Sequence, residues 1–206
     1  MASIWEAVLA SSAVSTVIST AVATGSSLRT ERRQRSAVAH QLARSLEGYA
    51  IQCANEIVDA DEAARLAEKH DDDTQHCNRE LPEFHIQAVD LDRLKPEWRD
   101  LISAFPNQIN AEKRYLSTMI EEIDDIYEWK VTKQTSRATL GRAAFALATQ
   151  VRQGHKLPTE HAAAACKSSL NVFTSALESK ERLDRHLEEC NARLNAQLFE
   201  TQATTS

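Results

Sequence analysis

Glycine and proline are scarce, four of each in 206 residues, and aromatic side chains make up only 5% of the chain. So few breakers argue against a fold of short strands and turns and predict long helices. The phosphate-binding, dinucleotide-binding and nucleophile-elbow signatures are missing. Cysteine occurs four times, at Cys53, Cys77, Cys166 and Cys190, without a CxxC pair. Spacing this wide in a chain this long does not read as a disulfide framework, and it fits a reducing compartment. The formal net charge of −6 argues against a nucleic-acid partner, which needs a basic face. Basic residues are also absent from the start: the first Lys or Arg is Arg29.

What stands in their place is an apolar, small-residue run from Ile4 to Ala23. Its strong apolar members are Ile4, Trp5, Val8, Leu9, Val14, Val17, Ile18 and Val22. About twenty such residues are the length that crosses a bilayer as a helix. Trp5 sits where an interfacial aromatic belongs. Glu6 lies close enough to the end to reach headgroups. The four serines and two threonines of the run can bond back to their own helix. Residues 1–27 are therefore expected to be a membrane anchor. The competing readings are an interfacial amphipathic helix and a cleaved signal peptide with Ala21-Val22-Ala23 as its cleavage site. The lack of a basic residue before the run argues against cleavage.

Arg29, Arg32, Arg33 and Arg35 follow directly, against one acid, Glu31. By the positive-inside rule, the N-terminus is outside and the bulk of the chain is cytoplasmic, as in a bacterial inner-membrane protein. Next to an apolar span, these arginines are expected to face anionic headgroups. Ser11, Ser15 and Ser19 share one helix face, and Ser12, Thr16 and Thr20 the adjacent one, a spacing that permits close helix pairing in lipid.

Beyond the anchor, residues 28–200 read as an elongated antiparallel helical bundle, all-α. Leu42, Leu46, Tyr49, Cys53 and Ile57 form one stripe on a helix of about Leu28 to Lys69. Residues 70–95 read as a long connection, with Leu81 held extended by Pro82. Pro96 and Pro106 each suit a first helical turn, predicting helices at 96–104 and 107–129. The second of these carries Ile109, Tyr115 or Leu116, Met119, Ile123 and Ile126. A fourth helix at 132–153 uses Leu140, Ala144, Leu147 and Val151, and stops near Gly154. The last covers 159–199, with Cys166, Leu170, Phe173, Leu177, Leu183, Leu187, Cys190, Leu194 and Leu198. Residues 201–206 read as a disordered tail. The last helix is expected to fold back along the first and cover its stripe, with the middle helices across both. The same near-heptad stripes also permit a coiled coil between copies.

The combination resembles a group of uncharacterised bacterial proteins with an N-terminal membrane span and a helical cytoplasmic region. The resemblance rests on Trp5, Leu9, Ser11 and Ser12 at the start. It continues at Leu81-Pro82-Glu83-Phe84 with Leu101 to Ile109, and at Leu140 to Ala148 before Leu157-Pro158. It implies membrane anchorage and helical architecture and carries no activity.

Candidate sites are few. His70, Asp71, Asp72, Asp73, His76 and Cys77 are metal-capable types within eight residues, but no HExxH fixes a geometry. An acidic loop is the simpler reading. His186 and Cys190 stand four apart, on one helix face. Glu121, Glu122, Asp124 and Asp125 lack the Glu-x-x-His partner of a di-metal bundle. No catalytic, cofactor-binding or metal residue is therefore assigned. The expected function is that of a non-enzymatic, membrane-anchored interaction or scaffold protein. Its partners would be the bilayer and either a second copy or another helical protein. The alternative is a metal-dependent enzyme or sensor using 70–77.

Overall fold

The computed structural model describes residues 4–70, 80–85, 91–123 and 125–204; the side chains of 4–28, 68, 70, 160–166, 194 and 196–204 lie outside the description. The fold is all-α. Among the described residues four helices run in order, α1 (Ile4–His70), α2 (Pro96–Glu122), α3 (Ile126–Gly154) and α4 (Glu160–Thr204), with one 3₁₀ turn, Leu91–Arg93, before α2.

α1 is a single helix of 67 residues, about 100 Å at 1.5 Å per residue. The backbone of the expected anchor thus continues without a break into the helix that carries the arginines. Among the described residues no helix is long and apolar enough to cross a membrane, and the side chains of 4–23 fall outside that description. Farther along, Ala39, Leu42, Ala43, Leu46, Tyr49, Ala50, Cys53, Ala54 and Ile57 are all buried. Their three- and four-residue spacing makes one continuous apolar face.

That face is covered mainly by α3 rather than by α4, contrary to the pairing the leucine stripes predict. α3 touches all three other helices, with buried residues around much of its circumference, from Trp129 to Arg152. Its small residues explain why. Ser136, Ala138, Gly141, Ala144 and Ala148 are all buried, and short side chains let neighbouring helix axes approach closely. α4 contributes Ser169, Phe173 and Ala176 to the interior. Leu170, expected on its stripe, is exposed, while Leu183, Leu187 and Cys190 are half-buried.

Two boundaries differ from expectation. Pro106 lies inside α2, not at the start of a new helix. A mid-helix proline removes one hydrogen bond and costs about 3 kcal/mol. The helix persists because Ile102 and Phe105 before it, and Ile109 and Leu116 after it, are buried in phase on one face. Between Tyr115 and Leu116, leucine takes the core position and tyrosine faces solvent. α2 then ends at Glu122 and α3 begins at Ile126, earlier than the expected boundary. Asp125 caps α3, its Oδ1 accepting from the backbone N–H of Tyr127 at 2.7 Å and of Glu128 at 3.3 Å. Ile126, expected on the preceding stripe, is instead the exposed first residue of α3.

The long connection returns to the body through residues 80–85. Leu81 and Pro82 are buried. Phe84 packs edge-on against Tyr49 and Phe105, with centroids 5.6 and 5.1 Å away, and Tyr49 meets Phe105 at 5.5 Å. Three mutually perpendicular rings tie α1, the connection and α2 together.

Candidate functional site: the polar seam between α1 and α3 and the surfaces around it

α1 and α3 are joined by polar contacts that run in opposite numerical order. Glu47 pairs with Arg152, Glu56 with Arg137, and Asp61 with both Gln134 and Lys130. The order itself shows that the two helices are antiparallel. Glu47 accepts two hydrogen bonds from one guanidinium, from Nε at 2.5 Å and Nη2 at 2.8 Å. The remaining Nη1 of Arg152 donates to the Pro158 carbonyl at 2.8 Å. Arg137 donates from Nε to Glu56 at 3.0 Å and from Nη2 to the Glu80 carbonyl at 3.4 Å. Asp61 accepts from Gln134 Nε2 and from Lys130 Nζ, each at 2.9 Å.

The two arginines are buried, with side chains 3% and 7% exposed. A buried charge is tolerated only when paired and hydrogen-bonded. Here each guanidinium meets a carboxylate and a backbone carbonyl, in the fork geometry arginine suits. The chemistry of the seam is therefore that of a clamp. A guanidinium does not give up its proton in this range. These residues carry no sequence motif. Periodicity gave no signal for them, since Glu47 and Glu56 lie beside the α1 stripe rather than on it and α3 carries other charged residues as well.

Beneath the seam, Tyr49 and Cys53 occupy adjacent turns of α1. Burial pushes the Cys53 thiol up to about 12 and raises the Tyr49 phenol well above its ordinary range. Both stay protonated near neutral pH, so Cys53 is an inert core thiol. A cleft of about 390 Å³ opens between α2 and α3, lined by Glu80, Leu81, Lys113, Leu116, Ser117, Ile120, Trp129 and Lys133. Lys133 Nζ lies 5.9 Å from the Trp129 ring centroid, a cation–π contact.

The residues singled out in the sequence fall in separate places. Arg29, Arg32, Arg33 and Arg35 are exposed on α1, with Arg35 paired to Glu31 at 2.5 Å. Asp71, Asp72, Asp73, His76 and Cys77 lie outside the described residues, and His70 is described only in its backbone, as the last residue of α1. His186 Nε2 and Cys190 Sγ do face one another, 3.6 Å apart on α4. Among the described residues no group of three or more His, Cys, Asp or Glu is placed to hold a metal ion. Asp125, from the acidic run, is a helix cap.

No protein-family model, curated protein or solved structure matches this chain.

Proposed function

We propose that the protein is a membrane-anchored helical interaction or scaffold protein without catalytic activity. Residues 4–23 hold it in the bilayer, with the N-terminus outside and an elongated antiparallel bundle in the cytoplasm. The observation that carries this reading is α1 itself. One unbroken helix links the apolar run, an exposed arginine belt and the stripe that forms the core. A stalk of that kind transmits position from the membrane to the body, because α1 is clamped to α3 by Glu47–Arg152 and Glu56–Arg137. Of the polar groups in the interior, the two buried arginines, Arg137 and Arg152, serve that clamp. The partner is a second copy through the Ser11, Ser15 and Ser19 face, or another helical protein on the outer surfaces of the bundle.

Fractionation with an accessibility test examines the anchor and the topology at once. The protein is expected to pellet with membranes and to resist carbonate washing. An impermeant maleimide is expected to label Cys190, half-buried on α4, only after the membrane is opened. Release by carbonate removes the span, and labelling of Cys190 in intact spheroplasts reverses the topology.

A further inference from the structure

The fold brings a second basic segment to the level of the arginine belt. Arg93, in the 3₁₀ turn before α2, donates from Nη1 to the Gln34 side chain of α1, 59 residues away. Segments 29–35 and 91–99 therefore share one end of the body. Together they carry seven basic residues, Arg29, Arg32, Arg33, Arg35, Arg93, Lys95 and Arg99. Three acids accompany them: Glu31 on Arg35, Asp92 on Arg99 at 3.2 Å, and Glu97 on Lys95 at 3.7 Å. The balance of the two segments is +4, and +2 once Asp90 and Asp100, which flank the second in sequence, are counted, within a chain of net −6. The arrangement is thus polarised, with the basic excess at the end from which α1 extends toward Ile4. All of these basic side chains are exposed except Arg99, which is half-buried. Trp98 lies in the first turn of α2, with its indole against Gly154. Its Nε1 is buried and the ring packs on the core, so Trp98 belongs to the packing of this corner and serves as a reporter of its distance from lipid rather than as an interfacial anchor.

We infer that this end of the body, formed by Arg29, Arg32, Arg33 and Arg35 together with Arg93 and Lys95, docks on an anionic lipid surface. The inference deepens the membrane reading by naming the lipid chemistry, and it adds a contact that does not depend on the span. Anionic headgroups attract polybasic segments over roughly a Debye length, about 8–10 Å at ordinary ionic strength. Two segments from different elements present a broader face than one helix side. They add a surface contact to the α1 stalk and so favour one side of the bundle toward the bilayer. The effect of His155 on the same corner is small in charge. Burial, then Lys95 and then Arg35, lower its pKa, so the ring adds no cation near neutral pH.

The test uses the full-length chain carrying W5F and W129F, so that Trp98 is the only indole. The protein is mixed with vesicles of phosphatidylcholine alone, or of phosphatidylcholine with one-third phosphatidylglycerol, each containing a nitroxide-headgroup lipid. Trp98 quenching is expected to be at least about twofold greater on the anionic vesicles, and to fall toward the neutral value in high salt. R93Q/K95Q is expected to remove most of that difference, and E97K to increase it, with helicity unchanged by circular dichroism. Equal quenching on both vesicles, insensitivity to salt, or no change in R93Q/K95Q would overturn the inference. Carbonate resistance is read on the same samples. A chain that carbonate releases, but that still shows anionic-dependent quenching, supports this docking face and removes the span.

Discussion

Phe173 of α4 sets the tip of its ring directly over Gly141 of α3. A Cβ built on Gly141 would fall 2.3 Å from Phe173 Cζ and under 3 Å from both Cε atoms. Phe173 is fully buried and also meets Phe145 at 6.1 Å, so the ring has little room to yield. The glycine is there because the two helices cross at that point.

Gly141→Ala is therefore expected to destabilise the protein by about 1–3 kcal/mol, the usual cost of overpacking. The gain in helix propensity, roughly 1 kcal/mol, offsets only part of the clash. Phe173→Ala should cost about 3–5 kcal/mol through the cavity it leaves. In the double variant, the alanine methyl enters space vacated by the ring, so its two costs should sum to less than the singles predict. Urea unfolding of the four proteins measures this; strictly additive costs would mean that the two residues do not meet.

Gly48 is the opposite case. It is exposed in the middle of α1, and nothing lies within 4 Å of a Cβ built there. Gly48→Ala should stabilise the protein by about 0.5–1 kcal/mol, since only the entropy of the unfolded chain and helix propensity change. A rise in thermal midpoint checks it, and a fall would show that α1 bends at this point.

The Glu47–Arg152 pair should behave as a buried one. Truncating either partner leaves an uncompensated charge, so Arg152→Ala or Glu47→Ala is expected to cost about 3–5 kcal/mol. Replacing both with apolar residues of similar size, Glu47→Leu with Arg152→Met, should cost much less than the sum. A double-mutant cycle reports the coupling. Lys180–Asp184 on α4 lies near the surface, with side chains 28% and 49% exposed; breaking it should cost under about 1 kcal/mol.

The stability of the fold should decline in alkali. Cys53 has an ordinary value of 9.0 and is pushed up to about 12 in the fold, chiefly by burial. Above pH 9 the unfolded chain loses this proton while the folded chain keeps it. The stabilisation is complete below the unfolded value and is lost as pH rises toward the folded one, at up to about 1.4 kcal/mol per pH unit for one group. Tyr49, raised in the same direction and for the same first reason, adds to the loss above pH 10. Unfolding midpoints between pH 8 and pH 11 should show this slope, and it should be shallower in Cys53→Ala. An identical slope in that variant would place the titration elsewhere.

Local sequence carried the helical class, because four glycines and four prolines in 206 residues leave long uninterrupted runs. It also carried the core face of α1: Leu42, Leu46, Tyr49, Cys53 and Ile57 are all buried, as their spacing requires. In α3, Leu140, Ala144 and Val151 were legible in the same way. These are properties of one helix at a time, since a 3.6-residue period is visible wherever one face must leave water.

Only the tertiary structure decided which helix covers that face. Leucine spacing on α4 matches the α1 stripe as well as anything on α3 does, but periodicity describes a face and not its partner. The choice falls to α3 because its small residues allow close approach and because Arg137 and Arg152 can reach Glu56 and Glu47. The same holds for Pro106, which marks a helix start locally and yet lies within α2. Burial of Ile102, Phe105, Ile109 and Leu116 on one face outweighs a single lost hydrogen bond. Arg93 beside Gln34 belongs to this class as well: no local pattern links residues 59 positions apart, and only the packing of α2 against the rest places them at one end of the molecule.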